Sequence, residues 1–171
     1  MYLTRTQRSY LLSEQLIRAA LFNLLLNALI GWFLFRHSST VSVWGDPGMA
    51  IDLSATAFLL PLITCLVCTP LVRQRVRYGK VSSLGWSPAD HPLLSWLPTS
   101  LLARALVISL LSAVVVTPGI LFALRMLDVQ HVSLLHFVLC KAILSAALAA
   151  LVTPVAALYV MAEETPALRI A

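Results

Sequence analysis

The sequence predicts an all-α integral membrane protein, an antiparallel four-transmembrane-helix bundle. Three observations carry that prediction. Of 171 residues, 60% are hydrophobic and only 11% charged, where a soluble domain carries roughly a quarter charged. The mean hydropathy is +0.90. The apolar residues gather into four runs near or above the ~20 residues that cross a bilayer. These runs cover about 16–35, 51–72, 101–124 and 135–161 of a single membrane domain, 1–171. Nothing remains for a soluble module, and the net charge of +5 forms no soluble basic patch of the kind that binds nucleic acid.

Met1 to Glu14 mixes Tyr2, Leu3, Tyr10, Leu11 and Leu12 with Arg5 and Arg8, the pattern of a short amphipathic helix lying at the membrane surface. The first span carries Ala19, Asn23, Asn27 and Gly31 every fourth residue, which stacks them on one helix face. The run is too long for a signal peptide, and Arg36-His37-Ser38-Ser39 offers no small-residue cleavage pattern, so an uncleaved span is expected. Thr40 to Trp44 alternates polar and apolar residues, as a short extended piece against the membrane surface would. Gly45-Asp46-Pro47-Gly48 then marks a turn.

The second span opens with Asp52, carries Thr56 and contains Pro61 and Pro70. A basic cluster of Arg73, Arg75, Arg77 and Lys80 follows it. In the connector, Ser87-Pro88-Ala89-Asp90 reads as a cap, a first-turn proline and an acidic first turn, which predicts one short interfacial helix between spans two and three. Span three repeats Ala105, Ser109, Ala113 and Thr117, and span four repeats Ala142, Ala146, Ala149 or Ala150, Thr153 and Ala157. Small-residue stripes let helices approach closely. With only Asp128 to His131 between them, spans three and four are expected to pack as a pair.

Charge predicts orientation. With both termini cytoplasmic, one side collects Arg5, Arg8, Arg18, Arg73, Arg75, Arg77, Lys80, Arg104 and Arg169. The other keeps Arg36 and Arg125, with Lys141 inside span four. That bias and the uncleaved start suit a bacterial inner membrane.

Polar groups at membrane depth are the candidate intramembrane site: Asn23, Asn27, Asp52, Thr56 and Lys141. Matching spans one and two by depth sets Asn27 beside the Ala57 carbonyl that Pro61 leaves unbonded, and Asn23 beside Thr64. Such interhelical bonds contribute about 0.6 kcal/mol on average. Lys141 needs a partner, and Asp52 is the one acidic residue in a span near its level, with Arg36 competing for the carboxylate. Cys65, Cys68 and Cys140 sit in apolar runs and read as inert thiols. Glu163-Glu164 reads as a solvated tail.

No nucleophile elbow, phosphate loop or metal-ligand spacing is present, so no cofactor or metal is expected. Small multidrug transporters embed a glutamate in the first span, whereas Glu14 precedes the apolar run. Lipoprotein signal peptidases need a second catalytic aspartate, which Asp52 lacks. No family is therefore recognised. A permease-like homo-oligomer in the lipid bilayer is the expected function. The alternative is an accessory subunit docking a larger membrane partner, and an intramembrane enzyme comes third.

Overall fold

A computed structural model describes residues 3–92 and 94–164. Arg169, counted above with the cytoplasmic charges, lies outside the described residues, as do Met1, Tyr2 and Leu93. The chain is mostly helical. Among the described residues, four helices are long and apolar enough to cross a membrane: Arg5–Phe35, Met49–Arg77, Leu101–Met126 and Leu134–Glu163. This marks a membrane protein.

The first helix differs from the expected surface segment followed by a span. A turn of α-helix, α1 (Arg5–Ser9), passes through a π-helical stretch, Tyr10–Ile17, into α2 (Arg18–Phe35) without a break. Thr4 caps it, since its Oγ1 accepts from Gln7 N and Gln7 Oε1 accepts from Thr4 N. The segment is held against the body of the protein. The Gln7 amide donates to Ser83 O at 2.9 Å and Ser82 Oγ at 3.2 Å, while Tyr10 and Leu11 are buried.

The β1 strand (Thr40–Ser42) leads into α3 (Met49–Arg77), which runs through Pro61 and Pro70 and takes up most of the basic cluster. The intervening turn holds a cis Asp46–Pro47 bond. It needs glycine at 48, where a Cβ would lie 2.6 Å from the Gly45 carbonyl oxygen. The expected interfacial helix is only a 3₁₀ turn, Pro88–Asp90. Its Ser87 cap forms as read, but His91 precedes Pro92 and is driven to an extended φ of −117° and ψ of 122°, which stops the helix. Leu94 and Leu97 then turn inward onto Tyr159.

After α4 (Leu101–Met126), β2 (His131–Ser133) pairs antiparallel with β1, with Thr40 opposite Ser133 and Val41 opposite Val132. The sequence showed only a polar turn at β2, because three residues carry too little alternation to read. Val41 and Val43 are buried with Met49, Leu53, Leu124 and Phe137, so this ribbon packs over one end of the helices. Ser133 caps α5 (Leu134–Glu163), its Oγ accepting from His136 N.

The helix neighbours also differ from expectation. α5 packs on both α2 and α3, and α4 packs on α3. Spans three and four are therefore not the close pair expected, meeting through side chains such as Arg104 on Tyr159, and α5 stands between most of spans one and two. The small stripes are buried in helix contacts: Ala105 and Ser109 of α4 are fully buried, as are Ala149 and Ala157 of α5, and Ala105 and Ala157 share one core cluster. A stripe specifies close approach, not identity, so a short connection could not select the neighbour.

Candidate functional site

Two polar places stand out among the four helices. The first is Asp52 on α3 with Lys141 on α5. The ammonium lies 2.6 Å from each carboxylate oxygen, with side-chain exposures of 4% for Lys141 and 16% for Asp52. Thr56, one turn on, is buried and donates its hydroxyl to the Asp52 carbonyl. Gly31 of α2 completes the surroundings, since a Cβ there would meet Lys141 Cδ at 3.1 Å and Phe137 Cε1 at 3.4 Å. Arg36 does not compete for the carboxylate. It donates to His37 Nε2 and covers the Phe33 ring instead.

The proposed amide partners are not formed. Asn27 Nδ2 donates to Asn23 O at 3.1 Å and Asn23 Nδ2 to Ala19 O at 2.9 Å, both within their own helix. The reason is the position of α5, which occupies the space where α3 would have met Asn27. The four-residue stripe of α2 still marks a contact face, with Ala19 packed near Leu148 and Ala149 and Gly31 beside Lys141.

The second place is a groove of about 540 Å³ between the first helix and α3, with Thr153 of α5 beneath it. It exists because α2 and α3 both pack on α5, whose small residues leave a shallow floor between them. Ala19, Phe22, Asn23 and Leu26 form one wall, and Ile63, Thr64, Val67, Cys68 and Leu71 the other. Asn23 and Thr64, expected to bond, thus face one cavity instead.

The π-helical stretch supplies the polar end. Its wider turn makes residues five apart neighbours: Arg18 N donates to Ser13 O, and Gln15 Nε2 donates to Tyr10 Oη at 2.7 Å. Such insertions are rare in helices and gather at functional sites. Cys68 donates to Gln15 Oε1 at 3.4 Å. Arg75 pairs with Glu14, which also lies 3.7 Å from Arg18. The Thr153 hydroxyl has no partner among the described residues.

Sequence reasoning missed Tyr10, Gln15, Arg75 and Thr153 as members of one site. A glutamine inside the lead-in to an apolar run was the one available signal. It also missed Arg104, which is 1% exposed. That guanidinium covers the Tyr159 ring at 3.9 Å and reaches the Pro98 and Thr99 carbonyls at 3.4 Å, with Nη2 unpartnered among the described residues. Glu163 and Glu164 are not a solvated tail. Glu163 lies 2.6 Å from Arg73, and Glu164 lies 3.0 Å from Arg73 and 3.2 Å from Arg77.

The fold and its polar sites define a small membrane protein with four helices of spanning length and a lateral groove. Comparison with protein-family models, characterised proteins and solved structures finds no match to this chain.

Proposed function

We propose that this chain is a small permease-like inner-membrane component that takes an amphiphile sideways from one leaflet into the groove between its first helix and α3. In this reading the four spans run antiparallel with both termini in the cytoplasm, and the protein works as an oligomer. The groove is the observation that carries it. Its size falls within the ~300–1,000 Å³ usual for small-molecule sites. Its walls are mostly apolar, with Asn23 and Thr64 as polar interruptions, and its floor and mouth are polar.

Asp52 and Lys141 do not line the groove. Their mutual contact answers the charge of each and supports a structural role, tying α3 to α5. The orientation is supported by the position of Arg18, Arg73, Arg75 and Arg77 at the helix ends away from the β-ribbon. Oligomer formation is supported by the outward Leu21, Leu25 and Leu29 of α2 and Leu110 and Val114 of α4, which offer lipid-facing surface for a second copy.

The test is reconstitution into liposomes carrying lipids with a fluorescent headgroup tag, either phosphatidylcholine or phosphatidylglycerol, with dithionite reporting movement between leaflets. The wild-type chain should accelerate movement of at least one of the two. Thr64→Trp, which fills the groove, should return the rate to that of protein-free liposomes. Movement insensitive to Thr64→Trp, or no faster than in protein-free liposomes, overturns the reading.

A further inference from the structure

We infer that the groove holds an anionic phospholipid, with its phosphate against Arg18 and Arg75 and one acyl chain laid along Phe22, Leu26, Ile63 and Val67. The inference rests on the groove being the working site, and it names the chemistry that the site selects.

Three observations support it independently. The first is charge at the mouth. Arg18 and Arg75 share one carboxylate, Glu14, and the adjoining hollow adds Arg5 and Lys80 around the same residue. Four cations against one anion leave a positive surplus where the chain leaves the apolar run. Guanidinium groups bind phosphate oxygens in a planar, two-pronged geometry, and although phosphatidylcholine offers the same phosphate, its trimethylammonium adds a further cation to the surplus, which an anionic lipid does not.

The second is the order of polarity with depth. Arg18 stands at the head of α2, Phe22 lies about 6 Å deeper and Leu26 about 12 Å deeper at 1.5 Å per residue. A lipid has the same sequence of groups, charged head first and hydrocarbon after. Thr153, 5% exposed, lines the groove floor, and its hydroxyl has no partner among the described residues. An ester carbonyl of the lipid would accept its proton.

The third is the openness of the walls. Phe22, Ile63 and Val67 are each more than half exposed while lining the groove. Apolar side chains turned outward along a spanning helix meet lipid tails, so the occupant arrives from the leaflet and not from water. An inorganic phosphate would satisfy the mouth and leave the walls unfilled.

The full chain, purified in mild detergent, is titrated with dioleoylphosphatidylglycerol and separately with dioleoylphosphatidylcholine, and retained lipid is counted by native mass spectrometry. One phosphatidylglycerol should be retained at least tenfold more readily than phosphatidylcholine. Arg18→Gln, at an exposed position where folding is not at stake, should cut that preference severalfold. Arg18→Gln with Arg75→Gln should abolish it while leaving phosphatidylcholine retention unchanged. Thr64→Trp should remove retention of both lipids, with Asn27→Leu as the unaffected control.

Equal retention of the two lipids overturns the inference, as does a preference that survives the double substitution. Competition by inorganic phosphate at equal concentration also overturns it, as does spontaneous disulfide cross-linking of two chains through Ile63→Cys, which would place a second copy over the groove. The two readings fail separately. Lipid movement blocked by Thr64→Trp without headgroup preference removes this inference alone, and a preference without movement removes the permease reading alone.

Discussion

Lys141 and Asp52 show how a charge is kept inside an apolar helix. Each ion has lost most of its water, and the two-oxygen contact at 2.6 Å restores the missing interactions. Removing one partner leaves the other charge uncompensated, which costs about 3–5 kcal/mol. Lys141→Met or Asp52→Asn alone should therefore lower the melting temperature in detergent sharply, while the double variant should recover most of the loss. Asn27 sits at the opposite extreme. Its amide is satisfied by its own helix, so Asn27→Leu should change stability by less than about 1 kcal/mol. A larger loss would show an interhelical bond that the geometry does not contain. Among the described residues Arg104 has no carboxylate partner, only ring and carbonyl contacts. Replacing a buried ion pair by apolar side chains of similar volume is often neutral or stabilising by about 1–4 kcal/mol, and the Arg104 charge lacks even the opposing anion among the described residues. Arg104→Met should therefore hold or raise the melting temperature, and a clear drop would mean that Tyr159 and the two carbonyls outweigh the desolvation.

At the scale of elements, the contact of α2 with α5 depends on Gly31. Alanine there needs only a few tenths of an ångström from Lys141 Cδ and the Phe137 ring, and Lys141 has a flexible stem. Gly31→Ala should be tolerated. Gly31→Leu should push α2 away from α5 and strain the Asp52–Lys141 pair, with a loss of about 1–3 kcal/mol from overpacking. Thermal melts of the two variants side by side check this, and equal stability would show that the helices do not depend on close approach at Gly31. The π-helical stretch was not legible from the residues, because its local composition suits an α-helix equally well. Its packing on α5 and the contacts of Gln15 select the wider turn.

For the whole molecule, the first and last helices converge on the last turns of α3. Glu14 reaches Arg75, while Glu163 and Glu164 reach Arg73 and Arg77. The basic end of α3 thus joins the first helix to the last. These pairs are part-exposed or exposed, so each contributes little and is weakened by salt. Glu163→Gln with Glu164→Gln should lower the melting temperature modestly at low ionic strength. The difference from wild type should vanish towards about 1 M salt, where screening acts over about 3 Å. A salt-independent loss would point to packing at the end of α5 instead.

Length and composition alone determined that four helices would be suited to a bilayer, because transfer into hydrocarbon depends on what each segment is made of and not on its neighbours. The pairing of Lys141 with Asp52 was legible for a related reason: a charge at depth demands an opposite one, and few candidates existed. Helix neighbours were not legible. The stripes on α2, α4 and α5 each permit close approach to any helix, so only the folded chain shows α5 between α2 and α3. That placement leaves Asn27 bonded within its own helix. It also brings Tyr10, Gln15, Arg75 and Thr153, far apart in sequence, around one groove, because a lateral cavity is defined by the space between helices and by no single one of them.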